Sequence, residues 1–153
     1  MAICPAARRV YKAKGDMKIY IKQKDFENIV SWAREHLPEE ACGLIAGTKD
    51  ENERHIEKVY FLENTDHSNE HFTMSPKAQL GAVKDMRSNG LVPLGNWHSH
   101  PETPSRPSAE DIRLAIDSKA SYLILSLMDA DNPVLNAFSV KDSVSAKEEL
   151  VII

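Results

Sequence analysis

Between positions 98 and 111 the chain reads His98-Ser99-His100-Pro101, continues through Pro104 and Pro107, and reaches Ser108 and Asp111. Few backbone conformations accommodate that run. Residues i and i+2 of an extended strand share a face, so both imidazoles point one way while Ser99 points the other. The three prolines hold φ near about -65° and remove backbone donors, which forces a stiff extended loop after the strand. Ser108 and Asp111 then carry the S-x-x-D spacing of a helix start. Strand, rigid loop and helix are thus predicted in that order, and the first helical turn can return Asp111 to the two histidines.

Taken singly, these pieces have ordinary explanations. An S-x-x-D box commonly does nothing but cap a helix, and paired histidines also occur on strands that bind no metal. Their joint spacing is what points to a metal centre. Two neutral imidazoles and one carboxylate leave a fourth tetrahedral position open for water, the arrangement of catalytic rather than structural zinc. Cys4 and Cys42 can form neither a disulfide framework nor a four-sulfur site, so a metal must rest on histidine and carboxylate.

The remainder of the chain suits one domain. Its 153 residues, 42% hydrophobic and 27% charged, can bury a single core and lie far from the composition of disordered chains. A net charge of -4 creates no positive field to gather nucleic acid or anionic lipid. Apolar stretches such as 123–125 fall far short of the roughly 20 residues a membrane helix needs. Residues 1–16 carry Arg8, Arg9, Lys12 and Lys14 without a continuous apolar segment. They read as a flexible N-terminal extension rather than a secretory signal, with the cytoplasm as the expected compartment and 17–153 as the folded domain.

Met17, Ile19 and Ile21 alternate with Lys18, Tyr20 and Lys22, the period of a half-buried strand. Phe26, Ile29, Val30, Ala33 and Leu37 then recur on one helical face, and Pro38 stops the helix. Strands are expected over 41–46 and 56–62, followed by a polar, turn-like stretch over 63–70. Ser75 and Pro76 open a second helix with Leu80, Val83 and Met86 on one face and Gly90 as its stop. The strand over 91–100 contains Pro93, so its first part should lie at an edge or be irregular. A third helix from Ser108 carries Ile112, Ala115 and Ile116, and strands over 122–128 and 134–140 flank a turn. Strands interleaved with helices give a mixed α/β class. His36, His55, His67 and His71 lack paired spacing and read as surface or loop residues. Cys42 reads as a small buried hydrophobe and Trp97 as core, since it alternates away from His98.

The run from His98 to Asp111 resembles the signature of the JAMM (MPN+) metallopeptidase family, an upstream Glu followed by H-[S/T]-H-x(7)-S-x(2)-D, with every spaced position present. Glu40-Ala41-Cys42-Gly43-Leu44 looks like the family's E-x-x-G-L strand. Glu39 competes with Glu40 for the upstream role, and strand alternation sends it to the opposite face. The resemblance implies a single mixed-sheet MPN/JAB domain, with cytidine-deaminase-like layering, flanked by helices. It implies one zinc ion per chain held by His98, His100 and Asp111, Glu40 as general acid/base, and Ser108 stabilising the oxyanion while also capping. Asn64, Ser68 and the segment 72–76 resemble a family stretch near the cleft that helps hold an extended substrate tail.

Members of this family hydrolyse peptide or isopeptide bonds at the C-terminal Gly-Gly tail of ubiquitin-like proteins. The runs 95–101 and 106–113 look most like the small prokaryotic Mec-type members, which act on ubiquitin-like sulfur carriers in cysteine or cofactor biosynthesis. A sulfur-carrier-type protein is therefore the expected partner of a zinc metallopeptidase, with no oligomeric state indicated. Close alternatives are a desampylase-like or deubiquitinase-like isopeptidase and a non-catalytic MPN scaffold, although scaffolds normally lose the metal ligands. A ferrous oxygenase shares the two-histidine, one-carboxylate set but usually sits in an all-β barrel. A deaminase would need P-C-x-x-C, which is absent.

Overall fold

The structure is a computed structural model that describes residues 17–153, so the extension expected over 1–16 lies outside the described residues. Ile19 and Ile21 share one face of β1 (Lys18–Ile21) and are fully buried, while Lys18 is exposed. The further strands are β2 (Cys42–Lys49), β3 (Glu53–Leu62), β4 (Val92–His100), β5 (Ser121–Ser126), β6 (Val134–Lys141) and β7 (Val144–Ile152), of which β4, β5 and β6 carry runs of consecutive buried residues because both of their faces are covered. The strands run in the order β1-β3-β2-β4-β5-β6-β7, and the ring closes because β1 pairs parallel with both β3 and β7. β4 and β5 are also parallel and the other pairs antiparallel, which makes the sheet mixed.

Helices cover both faces of this sheet. Ile29, Val30 and Ala33 of α1 (Gln23–Glu35) join one core cluster with Ile19, Ile45, Trp97 and Leu123. Ala82 and Met86 of α2 (Pro76–Ser88) pack with Ala46 and Leu44 in a second cluster. Adjacent strand residues such as Ile45 and Ala46 thus serve different cores, as strand alternation requires. Ser75 caps α2 by accepting from Ala78 N at 3.1 Å, and Gly90 takes φ 67° just beyond the helix. Pro93 sits where β4 pairs with β2 alone, since β5 joins only from Gly95 onward, which is how a proline is tolerated in this strand.

The end of the third helix departs from expectation. α3 (Ala109–Leu114) ends after six residues, and Ile116, expected on its apolar face, is 93% exposed. A helix this short is held by tertiary contacts and its cap rather than by periodicity, and the chain must leave it at once to cross over into parallel β5. The final segment forms a hairpin of β6 with β7, whose two turn residues Asp142 and Ser143 have φ 51° and 61°, the positive values a two-residue turn between twisted strands demands.

Gly95 shows how tightly β4 meets β5. A Cβ there would lie 1.8 Å from the Ser121 carbonyl oxygen, with φ at 153°. Gly95→Ala is expected to destabilise the fold by about 3 kcal/mol, because backbone rather than a flexible side chain must give way. A denaturant midpoint within error of wild type would contradict this close approach.

Candidate metal centre

β4 turns His98 and His100 to the face opposite Trp97, which is fully buried and donates its indole N–H to Tyr60 O at 3.0 Å. The two Nε2 atoms are 3.1 Å apart, and Asp111 Oδ2 lies 3.2 Å from the first and 3.1 Å from the second. The proline loop and α3 bring Asp111 there. Its Oδ2 also accepts from Ser108 N at 2.9 Å, and Ser108 Oγ accepts from Asp111 N at 3.0 Å, completing a capping box. The cap and the convergence on the histidines therefore coexist in one carboxylate. Ser108 itself is exposed, and its hydroxyl oxygen acts as an acceptor in the cap.

Glu40 enters from the segment before β2. Ala41 N donates to Ser99 Oγ at 2.8 Å and Ser99 N to Ala41 O at 2.9 Å, so the serine between the histidines fastens the residue after Glu40 to β4. Glu40 is 2% exposed and offers a ligand atom within 4.8 Å of those of His98 and His100. Glu39 diverges, its carboxylate facing His67 Nδ1 at 3.3 Å.

Electrostatics prepare these groups for different tasks. Burial drives the Glu40 carboxyl up to about 8, against the opposing pull of His100. His98 is held below its ordinary value by burial, which outweighs Asp111. Burial also works against charge on His100, yet Asp111, Pro104 O and Glu40 hold it above its ordinary value. Asp111 feels burial too, but the two histidines and the Ser108 N–H keep it well below the usual carboxylate range.

The donor set fits a small divalent ion. Bonds of about 2.0–2.1 Å in a tetrahedron put ligand atoms roughly 3.3 Å apart, near the 3.1–3.2 Å separations found. His100 Nδ1 lies 2.9 Å from Pro104 O, and a proton donated there leaves the Nε2 lone pair facing the cluster. Two such lone pairs at this distance repel unless a cation or proton lies between them. Glu40 Oε2 and His98 Nδ1 are buried without a partner among the described residues. The first suits a carboxylate awaiting a proton donor; the second lacks the outer partner that metal-bound histidines usually have.

Sequence reasoning missed the service of Asn64. Its Nδ2 donates to Glu40 O and His71 O, each at 3.0 Å, while Oδ1 accepts from Asp66 N and Thr73 N at 3.0 and 3.2 Å. At 6% exposure it ties the 63–75 loop to Glu40 and has no capacity left for a substrate tail. That loop lays Phe72 on His98, with ring centroids 4.7 Å apart. His36, His55, His67 and His71 stay outside the cluster, bonded to Trp32 O, Glu53, Glu39 and Asp66. Cys42 is buried, its thiol pushed up to about 12 by burial.

A pH effect on stability follows. The Glu40 pKa is raised on folding from 4.5 to about 8, so its protonated form favours the fold, and the metal-free protein should lose stability as pH climbs through that range. Glu40→Gln is expected to stabilise metal-free protein by up to about 5 kcal/mol at pH 8.5 and by almost nothing at pH 4. Thermal melts in chelator at both pH values test this; a gain equal at both would reject the assigned cause.

Residues 22–150 match the family described as prokaryotic homologs of the JAB domain, and the chain belongs to that family. The CysO-cysteine peptidase of Mycobacterium tuberculosis is 29% identical over 143 residues, 92% of this chain and 95% of that protein. A probable TtuB-protein conjugate cleaving protease of Thermus thermophilus is 33% identical over 98 residues, 63% of each chain. A solution structure of a protein from Desulfitobacterium hafniense superposes with a TM-score of 0.82 at 50% identity, covering 90% of this chain and 93% of that one. No described helix is long and apolar enough to cross a membrane.

Proposed function

We propose that this chain is a JAMM-type zinc metallopeptidase, acting as one catalytic unit over 17–153, that cleaves the bond following the Gly-Gly tail of a ubiquitin-like protein, foremost a sulfur carrier. One observation carries the reading: His98 Nε2, His100 Nε2 and Asp111 Oδ2 converge within 3.1–3.2 Å with buried Glu40 beside them. The substrate class draws support from the relative named a CysO-cysteine peptidase, which aligns over nearly its whole length.

His98, His100 and Asp111 would hold one ion. When bound, zinc supplies a Lewis acid and lowers the pKa of its water towards about 7. Glu40 receives the proton released as water adds to the scissile carbonyl, then returns it to the amine nitrogen as the C–N bond breaks. Burial pushes this carboxyl up in the metal-free site, and the charge of a bound cation would draw it back down, towards the neutral range that both transfers need. The Ser108 hydroxyl donates to the carbonyl oxygen as charge develops there, while its lone pair keeps the cap on Asp111 N.

The test is incubation of zinc-loaded protein with a ubiquitin-like sulfur carrier extended beyond Gly-Gly, with and without a chelator, and weighing of the products. Loss of the extension, stopped by chelator, is expected. No cleavage, or cleavage indifferent to the chelator, would overturn the reading. An isopeptidase preference is the second reading, favoured by the TtuB-conjugate protease; a carrier linked to a lysine side chain in the same assay distinguishes it.

A further inference from the structure

The loop between β4 and α3 is held in its middle by hydrogen bonds rather than by packing. Glu102, Thr103 and Pro104 are exposed, yet the Pro104 carbonyl oxygen meets His100 Nδ1 at 2.9 Å and accepts from Arg106 N at 2.9 Å. Two serine hydroxyls tie the residues on either side of Pro104 to one strand: Ser126 Oγ donates to Thr103 O and Ser105 Oγ to Ile124 O, each at 2.6 Å. Asn136 Nδ2, from β6, adds a donor to Ser105 O at 3.3 Å. Ser126 is 5% exposed and pairs with His100 in the parallel register of β4 and β5. Beside it, Leu127 N donates to His100 O at 3.0 Å.

We propose that Ser126 and Ser105 are positioning residues of the metal centre, clamping the loop on both sides of Pro104 so that its carbonyl stays against His100 Nδ1 and the Nε2 lone pair stays turned to the cluster. The inference rests on the metal-holding role assigned to His100 above and needs nothing of the substrate. A neutral imidazole carries one proton, and two acceptors compete for it: the Pro104 oxygen at Nδ1, and Asp111 Oδ2 at 3.1 Å from Nε2. Only the form protonated at Nδ1 offers Nε2 to a cation. The carboxylate is the stronger acceptor, so the balance depends on the carbonyl remaining within reach. An outward shift of about 0.7 Å would already stretch that contact beyond a hydrogen bond. Proline at 104 has no N–H with which to anchor the loop itself, which leaves the restraint to the two hydroxyls.

The test compares wild type with Ser126→Ala, Ser105→Ala and Ser105→Thr, and uses Val30→Ala, a core substitution in α1, as the control for lost stability. Zinc affinity is read by competition with a chromogenic chelator, well below the melting temperature of every variant. Both serine-to-alanine variants should raise the zinc dissociation constant by about tenfold or more, whereas Ser105→Thr, which keeps the hydroxyl, and Val30→Ala should stay within about threefold of wild type. Long-range 1H–15N NMR of the metal-free proteins at about pH 9, above the ordinary histidine range, reads the His100 tautomer directly. It is recorded in a Glu40→Gln background, which removes the buried carboxylate that titrates nearby. The share protonated at Nδ1 should fall in both alanine variants and hold in Ser105→Thr and Val30→Ala. Alanine variants that bind zinc as tightly as wild type, or that shift the tautomer no more than Val30→Ala does, would overturn the proposal, as would a Ser105→Thr that loses as much as Ser105→Ala. A wild type that takes up no zinc would refute the metal reading instead, and the NMR comparison then decides the positioning role by itself.

Discussion

Replacing Glu40 with Gln should leave zinc content at the wild-type level and cut turnover by about two to four orders of magnitude, the range for losing a general acid/base. The amide keeps the size of the carboxylate but cannot accept the proton. Because Glu40 Oε2 has no partner among the described residues, the exchange breaks no described side-chain bond at that atom. The backbone ties from Asn64 Nδ2 to Glu40 O and from Glu40 N to Ser68 O persist as well. The variant should therefore fold, and its loss should appear in kcat rather than in metal content. A variant that turns over at the wild-type rate would remove Glu40 from the proton path and reopen the choice with Glu39, whose carboxylate faces His67 instead.

The opposite pattern is expected at the ligands. His98→Ala and Asp111→Ala should each lose the metal and, with it, detectable hydrolysis, because two remaining donors hold zinc far more weakly than three. Asp111 complicates the comparison, since the same Oδ2 accepts from Ser108 N, so alanine also removes a cap worth about 1 kcal/mol. Asp111→Asn retains an oxygen for that cap and separates fold from ligation: it should melt near wild type while binding zinc more weakly. Elemental analysis after dialysis checks all three. Zinc retained at one ion per chain in any alanine variant would strike that residue from the ligand set.

Some elements were legible because their signals are local. The starts of α2 and α3 follow from Ser75-Pro76 and from Ser108 with Asp111, cap chemistry confined to four residues. The end of α3 was not legible: Ile112, Ala115 and Ile116 suggest continuation, but Ile116 is left exposed by the described residues and the crossover to β5 ends the helix first. Ring closure was invisible for the same reason, since the pairing of β1 with β7 joins segments more than a hundred residues apart. Asn64 carried no spacing signal at all, because its side chain bonds only backbone groups gathered by the loop's own path.

The chemistry of the donors, the common face of His98 and His100, and the rigid path to Asp111 are set within fourteen residues of primary structure by strand alternation, proline geometry and a helix cap. Burial is a different kind of quantity. Glu40 is desolvated by packing and held at the cluster because Ser99 bonds the backbone of Ala41, 58 positions away in the sequence, and the partly open space beside Asn96 is lined by pieces of α3, β4, β5 and the 63–75 loop. Spacing dictates which atoms can face one another locally, whereas the low dielectric that shifts a carboxyl exists only after distant segments have excluded water together.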